Sequence, residues 1–182
     1  MSYDIEGRMA THLRSTEPDP DGQNFTVADA CDASSAAPVY FPAKKVNSRW
    51  LVDGGVVANN PTLTAYADAV SMWPKDEIYV VSLGTGYQVR PIEGEDAKDW
   101  GGIQWIARGL LDVVMDETIV VQQARQILGD RLVRVCSDLM EANDDLDDIS
   151  EDNVHLLKKL GDQWWDEMGD TVLSLLKSAG KI

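Results

Sequence analysis

Asp53, followed at once by Gly54 and Gly55, is the residue whose type and setting are best suited to chemistry. It closes the short apolar run Trp50-Leu51-Val52, so it is expected at the carboxyl end of a strand, where α/β sheets hold their ligands. The glycine pair lets the backbone turn sharply, adopt positive φ if needed and leave room beside the carboxylate. An acid so placed can accept a proton from a nucleophile, although the plainer reading of the same residues is an ordinary Asp-Gly turn. A carboxylate, with a pKa near about 4, is a weak base for a hydroxyl. Such a site therefore depends on burial of the acid, on oxyanion donors and on a nearby helix N-terminus for its transition state.

Other candidate residues are less suited. Ser34 and Ser35 carry hydroxyls but lack the glycine two positions to either side that a nucleophile elbow requires, and no two of the 14 glycines lie four apart. Packing and helix-end hydrogen bonds are their expected roles. Asn59-Asn60-Pro61 reads as a helix start and scaffold, and Gly84-Thr85-Gly86 follows a strand but is too short to make a phosphate loop. The two histidines, His12 in a polar stretch and His155 early in the last helix, are poor triad bases. Cys31 and Cys136 form no Cys-x-x-Cys pair and read as reduced core residues. Between Glu141 and Asp152 lie seven carboxylates, but no register supplies the glycine and glutamate of a calcium loop. A solvated loop capping a helix is expected instead, and neither metal nor cofactor is implied.

The elements that must position these residues alternate between strand-length apolar runs and helical periods, the pattern of an α/β sandwich. Glu17 to Gly22 is turn chemistry, Phe25 to Ala33 a short helix ending before Pro38, and Trp50 to Val52 a brief strand. A helix runs from about Asn60 to Trp73-Pro74, and Ile78 to Leu83 is the most strand-like segment. Residues 103 to 128 form one or two helices, Arg131 to Cys136 a further strand, and about 150 to 178 a last helix. That helix sets Leu157, Leu160, Trp164, Met168, Val172 and Leu175 on one face.

With 182 residues and 44% hydrophobic content the chain can build one core, so a single domain over 1 to 182 is expected. A formal charge of -15 repels phosphate-rich partners and argues against nucleic acid. The first six residues lack the basic start and apolar stretch of a signal peptide, and no run approaches the ~18 apolar residues of a membrane span. The chain reads as cytoplasmic. Trp100, Trp105, Trp164 and Trp165 are candidates for peripheral membrane contact, although tryptophans at helical spacing more often pack in cores.

Three ordered segments carry a family resemblance: Ala33-Ser34-Ser35-Ala36-Ala37-Pro38-Val39-Tyr40-Phe41-Pro42, then Leu51 to Pro61 with Asp53-Gly54-Gly55 and Asn59-Asn60-Pro61, then Ser82-Leu83-Gly84-Thr85-Gly86. Together they resemble the patatin-like serine lipid acyl hydrolases, over most of the chain from about Tyr3 to Arg134. The resemblance implies part of a three-layer α/β/α sheet sandwich and a serine–aspartate dyad that hydrolyses fatty acyl esters. By that similarity Asp53 is the catalytic aspartate, Gly54 and Gly55 complete its motif, and Ser34, Ser35, Pro38, Asn59 and Asn60 support the site.

The family's Gly-x-Ser-x-Gly elbow and its glycine-rich oxyanion loop have no counterpart in these residues and precede them in family order. The chain is therefore expected to start partway through a longer catalytic domain, lacking its N-terminal strands, and to be inactive alone. Strand edges left open invite completion by an upstream chain or by self-association. The leading expectation is a phospholipase A-type ester hydrolase carrying the acid but not the nucleophile. The alternative is a non-catalytic patatin-like module that binds lipid or a protein partner.

Overall fold

A computed structural model describes residues 1–16, 24–107, 110, 113 and 115–180, which leaves the turn expected at Glu17 to Gly22 outside the described residues. The protein is α/β, and its described strands gather in two separate sheets. It divides into two compact units, Met1–Pro61 with Gly102–Glu117, and Thr62–Gly101 with Thr118–Ile182.

The first unit is built on an antiparallel sheet in the order β2-β1-β4-β3. Its strands are β1 (Ser2–Asp4), β2 (Met9–Thr11), β3 (Lys44–Val46) and β4 (Arg49–Asp53). Short polar turns join the hairpins. Asp4 Oδ1 accepts the amides of Glu6 and Gly7 at 3.0 and 2.9 Å in the first. Asn47, at φ 54°, supplies the left-handed residue of the second. Helix α1 (Val27–Ser34) packs on β3 and β4, and Ala33, Val46 and Leu51 form the core beneath it, with Leu13 and Phe25 against them.

Helix α1 begins with a reciprocal cap, Thr26 Oγ1 accepting the Asp29 amide at 3.1 Å while the Asp29 carboxylate accepts the Thr26 amide at 3.1 Å. The Thr26 hydroxyl, donating to the Asp29 carboxylate at 2.7 Å, and then the Thr26 amide hold that carboxyl below its ordinary range. Lys44 on β3 reaches Asp32 at 2.8 Å and Asp29 at 3.4 Å, tying helix to sheet, and the bond to Asp32 raises its pKa. Cys31 departs from the expected core position and is exposed. It lies two residues, about 200°, around the helix from buried Ala33, on the opposite face.

The second unit holds β5 (Val80–Leu83) and β6 (Leu132–Val135), paired in parallel with Val80 opposite Leu132. Helix α3 (Thr62–Met72) packs on β5, starting just after Pro61 and ending ahead of Pro74. The short α4 (Gly94–Ala97) belongs here, while α5 (Gly102–Ala107) belongs to the first unit. Helix α6 (Thr118–Leu128) leads through a 3-10 turn at Gly129–Arg131 into β6. The stretch expected to be helical from 103 to 128 thus contains α5 and α6, and Leu110 and Val113 between them are also helical, the rest of that link lying partly outside the described residues.

Helix α7 (Glu151–Ser178) packs on β6 and buries Leu175, while Leu160, Trp164, Met168 and Val172 are partly covered. Leu157, expected on the same face, is instead 37% exposed. Trp164 donates its indole N–H to Ser137 Oγ at 2.8 Å, a polar handle in a packed position, whereas Trp165 is 59% exposed.

Ser150 caps α7 in place of the last carboxylates of the acidic stretch, of which Glu151 and Asp152 fall in the first turn, and the residues before it form a knitted loop. Buried Asn153 accepts the Asn143 amide at 2.8 Å and donates to the carbonyls of Asn143 and Asp148, each at 3.2 Å. Asn143 in turn donates to the carboxylates of Asp145 and Asp148, each at 3.0 Å. Bonds from Ser150, then Asn143, hold the Asp148 carboxyl below its ordinary value of 3.8.

Replacing Asn153 by Ala strands three part-buried backbone partners, so Asn153→Ala should cost about 2 to 4 kcal/mol in chemical denaturation and open residues 143 to 150 to protease. Because the folded value of Asp148 is depressed, its contribution is present above 3.8 and lost as pH falls through the lower folded value. Amide protection of the loop should therefore persist down to about pH 4 and fall below it, as hydrogen exchange would show.

Candidate functional site

Sheet pairing decides where Asp53 stands. Strand β3 pairs with β4 only as far as Leu51, leaving the last residues of β4 without a strand on that side. The chain leaving α1 takes over: Asp53 donates its amide to the Ala36 carbonyl at 3.0 Å and Gly54 to the Ser34 carbonyl at 3.4 Å. On its other side β4 pairs with β1, Ser2 lying directly opposite Asp53. Asp53 is thus held at the carboxyl end of a strand bonded on both flanks, and it is partly buried.

The carboxylate is also anchored. Asp53 Oδ1 accepts the Gly55 amide at 2.6 Å, closing a small ring that turns the chain into the one-turn helix α2 (Gly55–Ala58). Neither glycine of the pair has positive φ, contrary to one use expected of them. Space is their reason. A Cβ on Gly54 would lie 2.4 Å from the Met1 carbonyl oxygen, and one on Gly55 3.2 Å from Asp53 Oδ1 and 3.4 Å from Met115 Cε. Beyond α2, Asn59 donates to the Met115 carbonyl at 3.0 Å, bringing residue 115 to the site, while Asn60 is buried.

Ser34 therefore meets the aspartate loop through its carbonyl. Ser35 turns its hydroxyl back to the Cys31 carbonyl at 2.9 Å, a helix-end bond, and Pro38 is exposed. Sequence reasoning does not single out Ser2, Ala36 or Met115. Ser2 belongs to a three-residue strand with no readable alternation, and the other two act through backbone carbonyls or a single methyl contact.

Packing and local pairing account for the remaining candidates. A Cβ on Gly84 would lie 2.5 Å from Arg134 Nη2 and from Cys136 Sγ, and Gly86, at φ +92°, would meet Leu139. Both glycines make room for the segment after β6. His12 Nδ1 lies 2.6 Å from Arg14 Nη2, and His155 is exposed on α7. Among the described residues no group of three His, Cys, Asp or Glu side chains is arranged to hold a metal, and no helix is long and apolar enough to cross a membrane.

Comparison with known proteins bears on the same residues. The family described as "Patatin-like phospholipase" matches residues 5–66, the stretch holding Asp53 and the loop that supports it. A cUMP-AMP-activated phospholipase of Escherichia coli is 33% identical over 150 residues, covering 76% of this chain and 46% of that protein. Patatin-like protein 1 of Arabidopsis thaliana is 29% identical over 174 residues, covering 75% of this chain and 42% of its own length. Phospholipase A I of Arabidopsis thaliana is 46% identical over 61 residues, 33% of this chain and 5% of that protein. The chain spans less than half the length of each of these relatives.

The two glycines should respond differently to a methyl group. At position 54 the neighbour is the Met1 backbone, 2.4 Å away, which must shift along with its link into β1, so Gly54→Ala should cost about 2 to 3 kcal/mol. Gly55→Ala meets the aspartate side chain at a milder distance and should cost less. Paired urea denaturation curves check the order, and equal midpoints would show that Met1 does not press on the loop.

Proposed function

The chain belongs to the patatin-like phospholipase family, and on that premise we propose that it supplies the acid of a serine–aspartate dyad hydrolysing fatty acyl esters, with Asp53 as the base. The observation that carries this reading is the double anchoring of Asp53. Its amide is bonded to Ala36 and one carboxylate oxygen to Gly55, which leaves the group fixed at the end of β4 with lone pairs to spare.

In the proposed reaction a serine hydroxyl attacks the ester carbonyl carbon as its proton passes to the Asp53 carboxylate. The tetrahedral oxyanion collapses, the carbon–oxygen bond to the alcohol breaks, and the proton returns to the departing alkoxide. Water then repeats the sequence on the acyl-serine, Asp53 taking its proton and returning it to the serine. No Gly-x-Ser-x-Gly stands in these 182 residues, so the serine and its oxyanion donors must come from polypeptide outside them. Ser34, Ser35, Pro38, Asn59 and Asn60 support the acid and do not react.

The surroundings of the carboxylate support a lipid substrate. Val56 and Val57, on the helix that starts beside Asp53, are 38% and 44% exposed and suit an acyl chain lying along α2. The same exposed side chains suit peripheral contact with a lipid surface. Completion by an upstream segment or a second copy is supported by β5 and β6, a parallel pair that no further strand extends among the described residues. Parallel strands ordinarily sit inside larger covered sheets.

The test joins the chain to an elbow-bearing upstream segment of a family member and measures p-nitrophenyl ester turnover. The chain alone should stay near background, and the joined protein should turn over. In the joined protein Asp53→Asn should lower kcat by about 100-fold or more. Undiminished turnover in Asp53→Asn rejects Asp53 as the base.

A further inference from the structure

Ser2 is placed where a strand residue gains nothing from being serine unless its hydroxyl is used. It is 0% exposed, and among the described residues its Oγ has no hydrogen-bond partner. A buried hydroxyl left unbonded is destabilising, so packing alone would be better served by alanine.

The register shows what lies beside it. Ser2 pairs with Asp53 on β4 and with Thr11 on β2. Residues directly opposite in antiparallel strands project to the same face with Cβ atoms about 4.5 to 5.5 Å apart. Thr11, Ser2 and Asp53 therefore form one transverse row of two hydroxyls and a carboxylate, and Thr11 is itself 8% exposed. One residue pair further along, the same face carries Asp4 opposite Leu51, both buried. At that general spacing a seryl hydroxyl and a carboxylate oxygen on directly opposite residues are within reach of one another by a change of rotamer.

We propose that Ser2 is a positioning residue for Asp53, its hydroxyl donating to the carboxylate and holding it charged and aimed for the nucleophile's proton. The inference rests on the reading of Asp53 as the base. With no exposed surface, Ser2 cannot meet an ester and is not itself a nucleophile. Its action is confined to the acid: a donor to the ionised form favours that form, so losing it makes Asp53 easier to protonate. The other charged groups on this face are Asp4 on β1, Arg49 on β4, and Lys44 on β3 with its partners Asp29 and Asp32 on α1. A change at Ser2 leaves all of them in place.

The experiment follows the Asp53 side-chain carboxyl carbon by NMR against pH in this chain, without any substrate. In Ser2→Ala the titration midpoint should rise by about one pH unit, and in Ser2→Thr it should stay at the wild-type value. Should Ser2→Ala fold poorly, Ser2→Thr and Ser2→Val have nearly the same shape and differ in the hydroxyl, so the same rise should separate those two. A midpoint unmoved by loss of the hydroxyl overturns the proposal, even where melting temperature falls, because a purely structural serine would change only the latter. Since the measurement needs no turnover, it fails separately from the Asp53→Asn assay, which tests the dyad itself.

Discussion

The hydrogen bond from the Asp53 amide to the Ala36 carbonyl is the constraint on which the arrangement of the first unit depends. A three-residue β3 is too short to accompany β4 to its end, and an unpaired strand end frays into water. The residues leaving α1 fill the place of the missing strand, so one segment ends a helix and steadies the acid. This joins two of the segments of family resemblance physically: the Ser34-to-Pro38 stretch is next to Asp53 because its carbonyls are the acceptors that β4 lacks. Lys44, bridging the foot of β3 to Asp32 and Asp29, keeps the helix at the distance this requires.

The aspartate loop is crowded more than it is flexible. Its glycines have ordinary backbone angles, and what they lack is volume: the Met1 backbone against one, the aspartate and Met115 against the other. A side chain held by its own loop loses little freedom when a substrate binds, and such preorganisation favours proton transfer at a fixed point. The short helix after the loop leaves two valines open beside the acid.

Much of this is legible in the residues. The Asp53 turn, α1 ahead of Pro38, α3 between Asn60-Pro61 and Pro74, the β5 and β6 runs, and the Ser150 cap of α7 all carry local signals: proline, capping hydroxyls or unbroken apolar runs. What escapes has no such signal. Strands β1, β2 and β3 are each three residues long, too short for alternation to register, and β1 is as polar as a loop because Ser2 and Asp4 are its buried members. At Cys31 residue type points to the core, while its angle on the helix from Ala33 turns it to solvent, and the angle wins. The role of the Asp-Gly-Gly glycines is equally hidden, since a clash with Met1 depends on a pairing between residues some fifty positions apart.

The two units are not successive along the chain. Residues 1–61 are completed by 102–117, and the second unit occupies 62–101 and everything from 118 onward. On a ribosome, then, the aspartate loop emerges long before Met115, whose carbonyl receives Asn59 and whose methyl lies against Gly55. The first unit must wait half-built through the synthesis of α3 and β5. No single cut isolates either unit intact, so the two share one fate in biosynthesis although each has its own sheet.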